Sequence, residues 1–137
     1  MAYTTINKST AHFNTKLYAG NGSTQSITGV GFQPDFIWQK ERDGGSYHVV
    51  TDSVRGVTKQ LFPNDSYQDV TDSNYITSFD SDGFGQGQNN DTNESGKNYV
   101  SWNWKAGNSA GSANSDGSIS TTVSVNTTAG FSIVKWT

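Results

Sequence analysis

The chain has 137 residues, which is enough for one domain with a hydrophobic core. Nine basic residues stand against twelve acidic ones for a net charge of −3, so the sequence lacks the basic stripe of a nucleic-acid-binding protein and the polybasic patch that anionic membranes attract. It contains no cysteine, which excludes disulfides, thiolate zinc sites and cysteine nucleophiles.

The first residues of the chain are polar. Residues 1–16 contain no apolar run, and no segment approaches the ~20 apolar residues of a membrane span, so neither a signal peptide nor a membrane helix is expected. Residues 1–11 are predicted to form an N-terminal arm, of the kind that becomes ordered against a partner subunit. Residues 12–137 are predicted to form the folded domain.

Short alternating segments separated by turn residues fill that domain. In chain order the predicted strands cover residues 12–18, 25–29, 35–40, 47–51, 57–62, 75–79, 99–105, 118–126 and 131–136. Residues 66–74 predict a loop or a short helical turn, and residues 107–117 predict a flexible crossing loop. Because no window keeps a 3.6-residue period, the sequence predicts an all-β fold of about nine or ten strands, a sandwich or a barrel.

Two strands carry a prediction about burial. Alternation in residues 99–105 places Val100, Trp102 and Trp104 on one face and the intervening residues on the other. Since indole rings bury a large apolar area, the tryptophan face is predicted to lie in the core. In residues 118–126 the isoleucine, the two valines and Thr121 are predicted to face inward.

Three acidic residues, Asp80, Asp82 and Asp91, are the candidates for a metal site. Asp80-x-Asp82 resembles the start of a calcium loop, and Asp91 is the twelfth residue counted from Asp80. Phe84, however, stands where a fifth-position ligand is expected. An Asp-Ser-Asp-Gly turn needs no metal, because aspartates accept hydrogen bonds from nearby backbone amides and glycine supplies a positive φ. The turn is the favoured interpretation, and bound calcium is the alternative.

The candidate ligand-binding segment is the polar loop of residues 86–97, QGQNNDTNESGK. Its amides suit the hydroxyl groups of saccharides, whose rings stack on aromatic side chains nearby. The predicted contact residues are Gln86, Gln88, Asn89, Asn90 and Asn93. A solvated loop without a ligand is the alternative. No nucleophile elbow or phosphate loop is present, and the two histidines, His12 and His48, lack a metal-like spacing, so no catalytic residue is predicted.

Several motifs resemble a domain found in structural proteins of marine tailed phages, including predicted tail-fibre proteins. They occur in the order GFQPDFIWQK (31–40), DSVRG (52–56), SFDSDGF (78–84), YVSWNWKAG (99–107) and AGFSIV (129–134). The resemblance spans nearly the whole chain. It implies an antiparallel β-sandwich, jelly-roll or concanavalin-like and of lectin-like or laminin-G-like character, in a virion appendage.

The resemblance also sets the expectation about function. It implies a non-enzymatic virion protein, made in the host cytoplasm, that attaches to host-surface polysaccharide as a homo-oligomer, with a trimer favoured, and contacts other virion subunits. The alternative is a capsid or tail decoration subunit that assembles without binding glycan. Neither nucleic acid nor membrane is expected as a partner.

Overall fold

The structure, a computed structural model, describes residues 6–136 and is built from short strands. The strands are β1 Phe13–Ala19, β2 Gln25–Thr28, β3 Phe36–Glu41, β4 Val49–Asp52, β5 Lys59–Leu61, β6 Val70–Thr71, β7 Ile76–Asp80, β8 Gly83–Gln86, β9 Asn98–Trp104, β10 Ser112–Asn114, β11 Thr121–Asn126 and β12 Phe131–Trp136. A 3₁₀ turn at Ser9–Ala11 precedes β1, and a one-turn helix α1, Asn90–Asn93, precedes β9.

The strands form three antiparallel sheets. The largest has six strands in the order β1-β9-β3-β4-β5-β6, and the two smaller ones are β2-β8-β7 and β10-β11-β12. This arrangement confirms the predicted all-β class and its antiparallel, sandwich-like architecture. Four elements lie where the sequence predicts turns and loops: β6, β8, α1 and β10. Residues 1–5 of the predicted N-terminal arm lie outside the described residues.

The main core lies between the six-stranded sheet and the β2-β8-β7 sheet. Ile37 of the large sheet packs there against Ile27, Ile76 and Phe84 of the small one. Full burial of such side chains stabilises the fold by roughly 1.5–3 kcal/mol each. A second cluster, Val49, Phe62 and Tyr75, extends the core beneath the loops at one end.

The tryptophan strand faces the opposite way from the prediction. Tyr99, Ser101 and Asn103 of β9 have no exposed surface, whereas Trp102 and Trp104 are half-buried on the other face of the sheet. The neighbouring strand β3 agrees, because Gln39 is fully buried and Trp38 is half-buried. The predicted burial is therefore wrong for Trp102 and Trp104, whereas Val100 on the same face is buried.

The polar inner face is possible because its amide N–H groups find acceptors inside the sandwich, although Gln39 Oε1 and Asn103 Oδ1 accept no hydrogen bond from a described residue. Asn103 Nδ2 donates to the carbonyl of Asn14 at 3.1 Å and to Ser101 Oγ at 3.0 Å. Gln39 Nε2 donates to Gln86 Oε1 at 2.6 Å across the two sheets. Hydrogen bonds from the amide N–H groups lower the cost of burying these side chains, so polarity alone does not assign a side chain to the surface.

The predicted inward face of residues 118–126, which contain β11, is also wrong. Ile119 precedes β11 and is 58% exposed, Val125 is 50% exposed, and Ser124 is the buried residue at 2%. Ser124 Oγ accepts a hydrogen bond from the backbone N–H of Gly107 at 3.0 Å. The backbone of Gly107 lies so close to β11 at Ser124 that a small, polar side chain takes the inward position.

Among residues 6–136, no helix has both the length and the apolar character needed to cross a membrane.

Candidate functional site

Aromatic side chains gather on the outer face of the six-stranded sheet, the face turned away from the main core. In an antiparallel sheet, residues directly opposite each other share a face. One row runs from Phe13 through Trp104 to Phe36, and the next runs from Thr15 through Trp102 to Trp38. Three adjacent strands thus present their rings together.

The second row opens into a cavity of about 250 Å³ lined by Trp38, His48, Trp102 and Trp104, which we call the aromatic cleft. The rings of Trp38 and Trp102 meet edge to face, with centroids 6.2 Å apart and planes at 74°. All four lining side chains are partly exposed. The cleft therefore offers aromatic surface to a ligand without any rearrangement of the backbone.

His48 holds the Trp38 ring in place. The indole Nε1–H donates to His48 Nδ1 at 2.9 Å, and the two rings stand edge to face at 72°. Burial, with a smaller contribution from the Lys40 charge, lowers the pKa of His48. A neutral imidazole with Nδ1 as acceptor satisfies the polar edge of the indole inside the protein, so the face of Trp38 remains for apolar contact.

The C-terminal sheet closes one end of the aromatic surface. Phe131 of β12 stacks on Trp104, with centroids 6.3 Å apart and planes at 21°, and meets Phe36 edge to face at 6.1 Å. Trp104 is thereby covered on one side. Trp38 and Trp102 are the rings of the cleft best placed to meet a ligand.

Two of the predicted loop residues are buried, so their assignment to a surface loop is wrong. Gln86 belongs to β8, and its amide donates to the carbonyl of Tyr75 at 3.0 Å and to Thr92 Oγ1 at 2.9 Å. Asn93 Nδ2 donates to the carbonyls of Ser23 and Gly87 at 2.6 and 2.7 Å. Both side chains hold the loop to the body of the domain and have no surface left for a ligand.

The other three predicted loop residues come together. Gln88, Asn89 and Asn90 border an open polar depression of about 440 Å³ with Asn74 and Asp91. Asn89 is already engaged, because its Oδ1 accepts from the Asp91 backbone N–H at 2.9 Å and caps α1. Within the described chain, the amides of Gln88 and Asn90 make no side-chain hydrogen bond and face solvent.

The three predicted acidic residues do not meet at one point, and Asp82 is the one that holds the turn. Asp82 accepts from the backbone N–H groups of Gly31 at 2.7 Å and Gly29 at 3.0 Å, and these donors hold the pKa of its carboxyl below its usual value. The next residue, Gly83, has a φ of 153°, and a Cβ there would collide with the carbonyl of Ile27. The turn between β7 and β8 is therefore held by backbone contacts.

The third carboxylate lies elsewhere. Asp91 Oδ2 accepts from the Tyr75 hydroxyl at 2.7 Å, and burial together with this carboxylate raises the pKa of Tyr75. In the part of the chain that the structure describes, no three carboxylate or imidazole side chains group closely enough to hold a metal ion. Asp80, Asp82 and Asp91 are thus not assembled into a calcium site.

The aromatic cleft is the site that sequence reasoning missed. Part of the signal was present, because Trp102 alternates with polar residues in β9 and Trp38 lies in the strand that pairs with it directly. Alternation shows that the rings share a face, but it does not show which face the second sheet covers.

Comparison with known proteins places the domain in a family without assigning it an activity. A search of curated proteins and a search of solved structures each found no match. A family model described as "Domain of unknown function (DUF7483)" matches residues 8–137, nearly the whole chain. The chain belongs to this family.

Proposed function

We propose that this domain is a carbohydrate-binding module that holds a sugar ring in the aromatic cleft against Trp38 and Trp102. The observation that carries the proposal is the partly exposed, edge-to-face pair of indoles in adjacent paired strands, with the polar edge of Trp38 satisfied by His48. The C–H groups of a pyranose ring form an apolar patch that packs on such a ring face.

The cleft also has the preorganisation that weak sugar contacts require. Both tryptophans lie in the middle of paired strands, and each has only two side-chain torsions to fix, so little conformational entropy is lost on binding. The volume of about 250 Å³ accommodates one sugar ring. A longer glycan would continue beyond the cleft along the sheet.

Polar groups beside the cleft supply hydrogen bonds to sugar hydroxyls. Thr15 lies opposite Trp102 on β1, on the same face, and is exposed. Lys40 follows Trp38 by two residues on the same face, and its ammonium donates to the carbonyls of Glu41 and Gly44 at 2.7 and 2.8 Å. Sites of this kind combine an apolar floor with a few placed polar groups.

The biological setting comes from the sequence resemblance and stays a prediction. On a phage appendage, the ligand would be polysaccharide of the host surface, and the domain would attach without catalysis. The second candidate function, a decoration or assembly subunit, is favoured by a different observation: Val125, Val134 and Trp136 of the C-terminal sheet are exposed apolar side chains.

A glycan array followed by calorimetric titration with the best ligand tests the proposal. Trp102→Ala should weaken binding at least tenfold, because it removes one wall of the cleft. The matched control is Tyr67→Ala, another exposed aromatic residue, which lies in the cluster with Tyr47 and Phe62 away from the cleft. An array without signal, or equal binding by the two variants, would overturn the proposal.

A double variant separates the cleft from the polar loop. Gln88→Ala with Asn90→Ala removes the two solvent-facing amides of the depression and should leave glycan affinity unchanged within about twofold. If this double variant loses binding while Trp102→Ala keeps it, the loop is the binding site and the cleft is not.

A further inference from the structure

Strand β12 has an open edge. It is the last strand in the order β10-β11-β12, and no described strand pairs with its other side. That side borders a groove of about 450 Å³, whose opposite wall includes Phe36, Arg55 and Leu61. A second strand would enter this groove to reach the outward backbone N–H and C=O groups of the edge.

The edge has little of the protection that isolated domains give to such strands. Natural edge strands are usually very short, bulged, or carry charges and prolines that block pairing. β12 is six residues long, pairs with β11 in unbroken register, contains no proline and has one charged residue, Lys135. Val134 and Trp136 lie on one face and are 44% and 66% exposed.

We propose that β12 pairs with β12 of a second copy of this chain, antiparallel and about a two-fold axis. An isologous interface must be complementary to itself, and an antiparallel pair of identical strands satisfies this requirement. The two three-stranded sheets would join into one continuous sheet. Main-chain hydrogen bonds supply affinity in this mode of strand addition.

The side chains select one register. Opposite residues of antiparallel strands share a face, and centring the axis on Val134 places both exposed apolar residues of each copy inside the paired region. Val123 already lies opposite Val134 within each copy, so four valines would form one row across the interface. Trp136 would lie opposite Ser132 of the second copy, a small residue that leaves room for the indole.

The neighbouring register fits less well. Centring the axis on Ile133, which is already buried, would place Trp136 opposite Gly130, beyond the start of the strand. Trp136, 66% exposed in the single chain, would then stay largely in solvent. The Val134 register is therefore the one that covers the most exposed apolar surface.

The mass of the unmodified chain in solution is the first test. Light scattering across a concentration series should give twice the mass of the 14.8 kDa chain at the higher concentrations. A monomer at every concentration would overturn the proposal. A trimer, the state favoured by the sequence resemblance, would overturn it as well, because a two-fold strand pair does not produce three copies.

A single introduced cysteine tests the register, since the chain has none of its own. Val134→Cys should form a disulfide-linked dimer under mild oxidation, because the two sulfurs would lie on directly opposite residues. Val125→Cys is the control: it replaces the same residue type with a similar exposure of 50%, on the same face but one strand further from the axis.

The control position cannot cross-link in the proposed dimer. Two copies of β11 would stand three strand spacings apart, about 14 Å, whereas a disulfide needs Cα atoms within about 7 Å. Efficient cross-linking at Val134 alone supports the pairing. Equal cross-linking at both positions indicates random collision and, like no cross-linking at either, would overturn the proposed register.

Discussion

Trp38 donates its indole N–H to Nδ1 of His48 at 2.9 Å, so a titratable ring orients one wall of the aromatic cleft. Protonation of Nδ1 would remove the acceptor and place a positive charge beside the indole N–H. Burial and the nearby Lys40 charge already lower the pKa of His48. The native cleft therefore favours the neutral imidazole of His48, and protonation at low pH should weaken the contact with Trp38.

The pH dependence of stability should report this contact. The pKa of His48 is lower in the folded chain than the ~6.5 of the unfolded chain, so the unfolded state binds more protons in the window below ~6.5. The contribution of His48 to stability is thus present above that value and is lost as pH falls through the folded pKa. Melts of the wild type and His48→Gln between pH 7.5 and 5 should show a weaker pH dependence in the variant.

The variant His48→Gln serves as the control, because it changes the titration of this position alone. Glutamine offers an acceptor to Trp38 but does not titrate, so the other ionisable groups act equally in both proteins. Direct titration of His48 by NMR should give a pKa below 6.5. A value at or above 6.5 would contradict the structural account of the contact.

Gln86 and Gln88 are two residues apart and should respond differently to truncation. Gln86→Ala removes the buried hydrogen bonds that join Gln86 to Gln39 and Thr92, while Gln39 keeps its bond to the Tyr18 hydroxyl, and it should cost about 2–4 kcal/mol of unfolding free energy. Gln88→Ala, at an exposed position, should change it by less than about 0.5 kcal/mol. Urea denaturation of both variants checks the difference, and similar costs would mean that the Gln86 network contributes little.

Asp82 should stabilise the turn between β7 and β8 through its carboxylate. Asp82→Asn weakens the hydrogen bonds to Gly29 and Gly31 and should lower the Tm by a few degrees at pH 7. Because the folded pKa of Asp82 is lowered, its contribution is present above the unfolded value of ~3.9 and is lost as pH falls through the folded pKa. The difference in Tm between the two proteins should therefore shrink as pH falls below ~3.9.

Asp80→Asn provides the comparison for that variant. The Asp80 side chain makes no hydrogen bond to another described residue, although it belongs to the same turn motif. Its substitution should leave the Tm within about a degree of the wild type. An equal loss in both variants would point to general charge effects instead of the capping of Gly29 and Gly31.

Calcium should not alter the stability of the protein. Asp82 is bonded to backbone amides and Asp91 to Tyr75, so two of the three predicted ligands are held in separate contacts, and the described residues group no three carboxylates with Asp80. Thermal melts in EDTA and in millimolar calcium should coincide. A calcium-dependent rise in Tm that Asp82→Asn abolishes would restore the metal interpretation.

The structure places the predicted loop residues in two different environments within a few residues of each other. Gln88, Asn89 and Asn90 do line a polar depression, whereas Gln86 and Asn93 are buried. An amide has the same composition whether it faces water or a buried carbonyl. The burial of Gln86 depends on its partners Tyr75 and Thr92, and the burial of Asn93 depends on Ser23. Only the tertiary structure shows that these partners lie beside the two amides.

The sequence by itself determined the all-β class, most strand positions and the two faces of each strand, because a period of two is local. It showed that Trp102 and Trp104 share a face with each other, but the tertiary structure decided that this face points outward. The β2-β8-β7 sheet covers the opposite face, where Ile37 packs on Phe84 and where Ser101 and Asn103 bond to each other. That choice depends on partners brought together from distant parts of the chain, and it converts an expected core into a candidate binding surface.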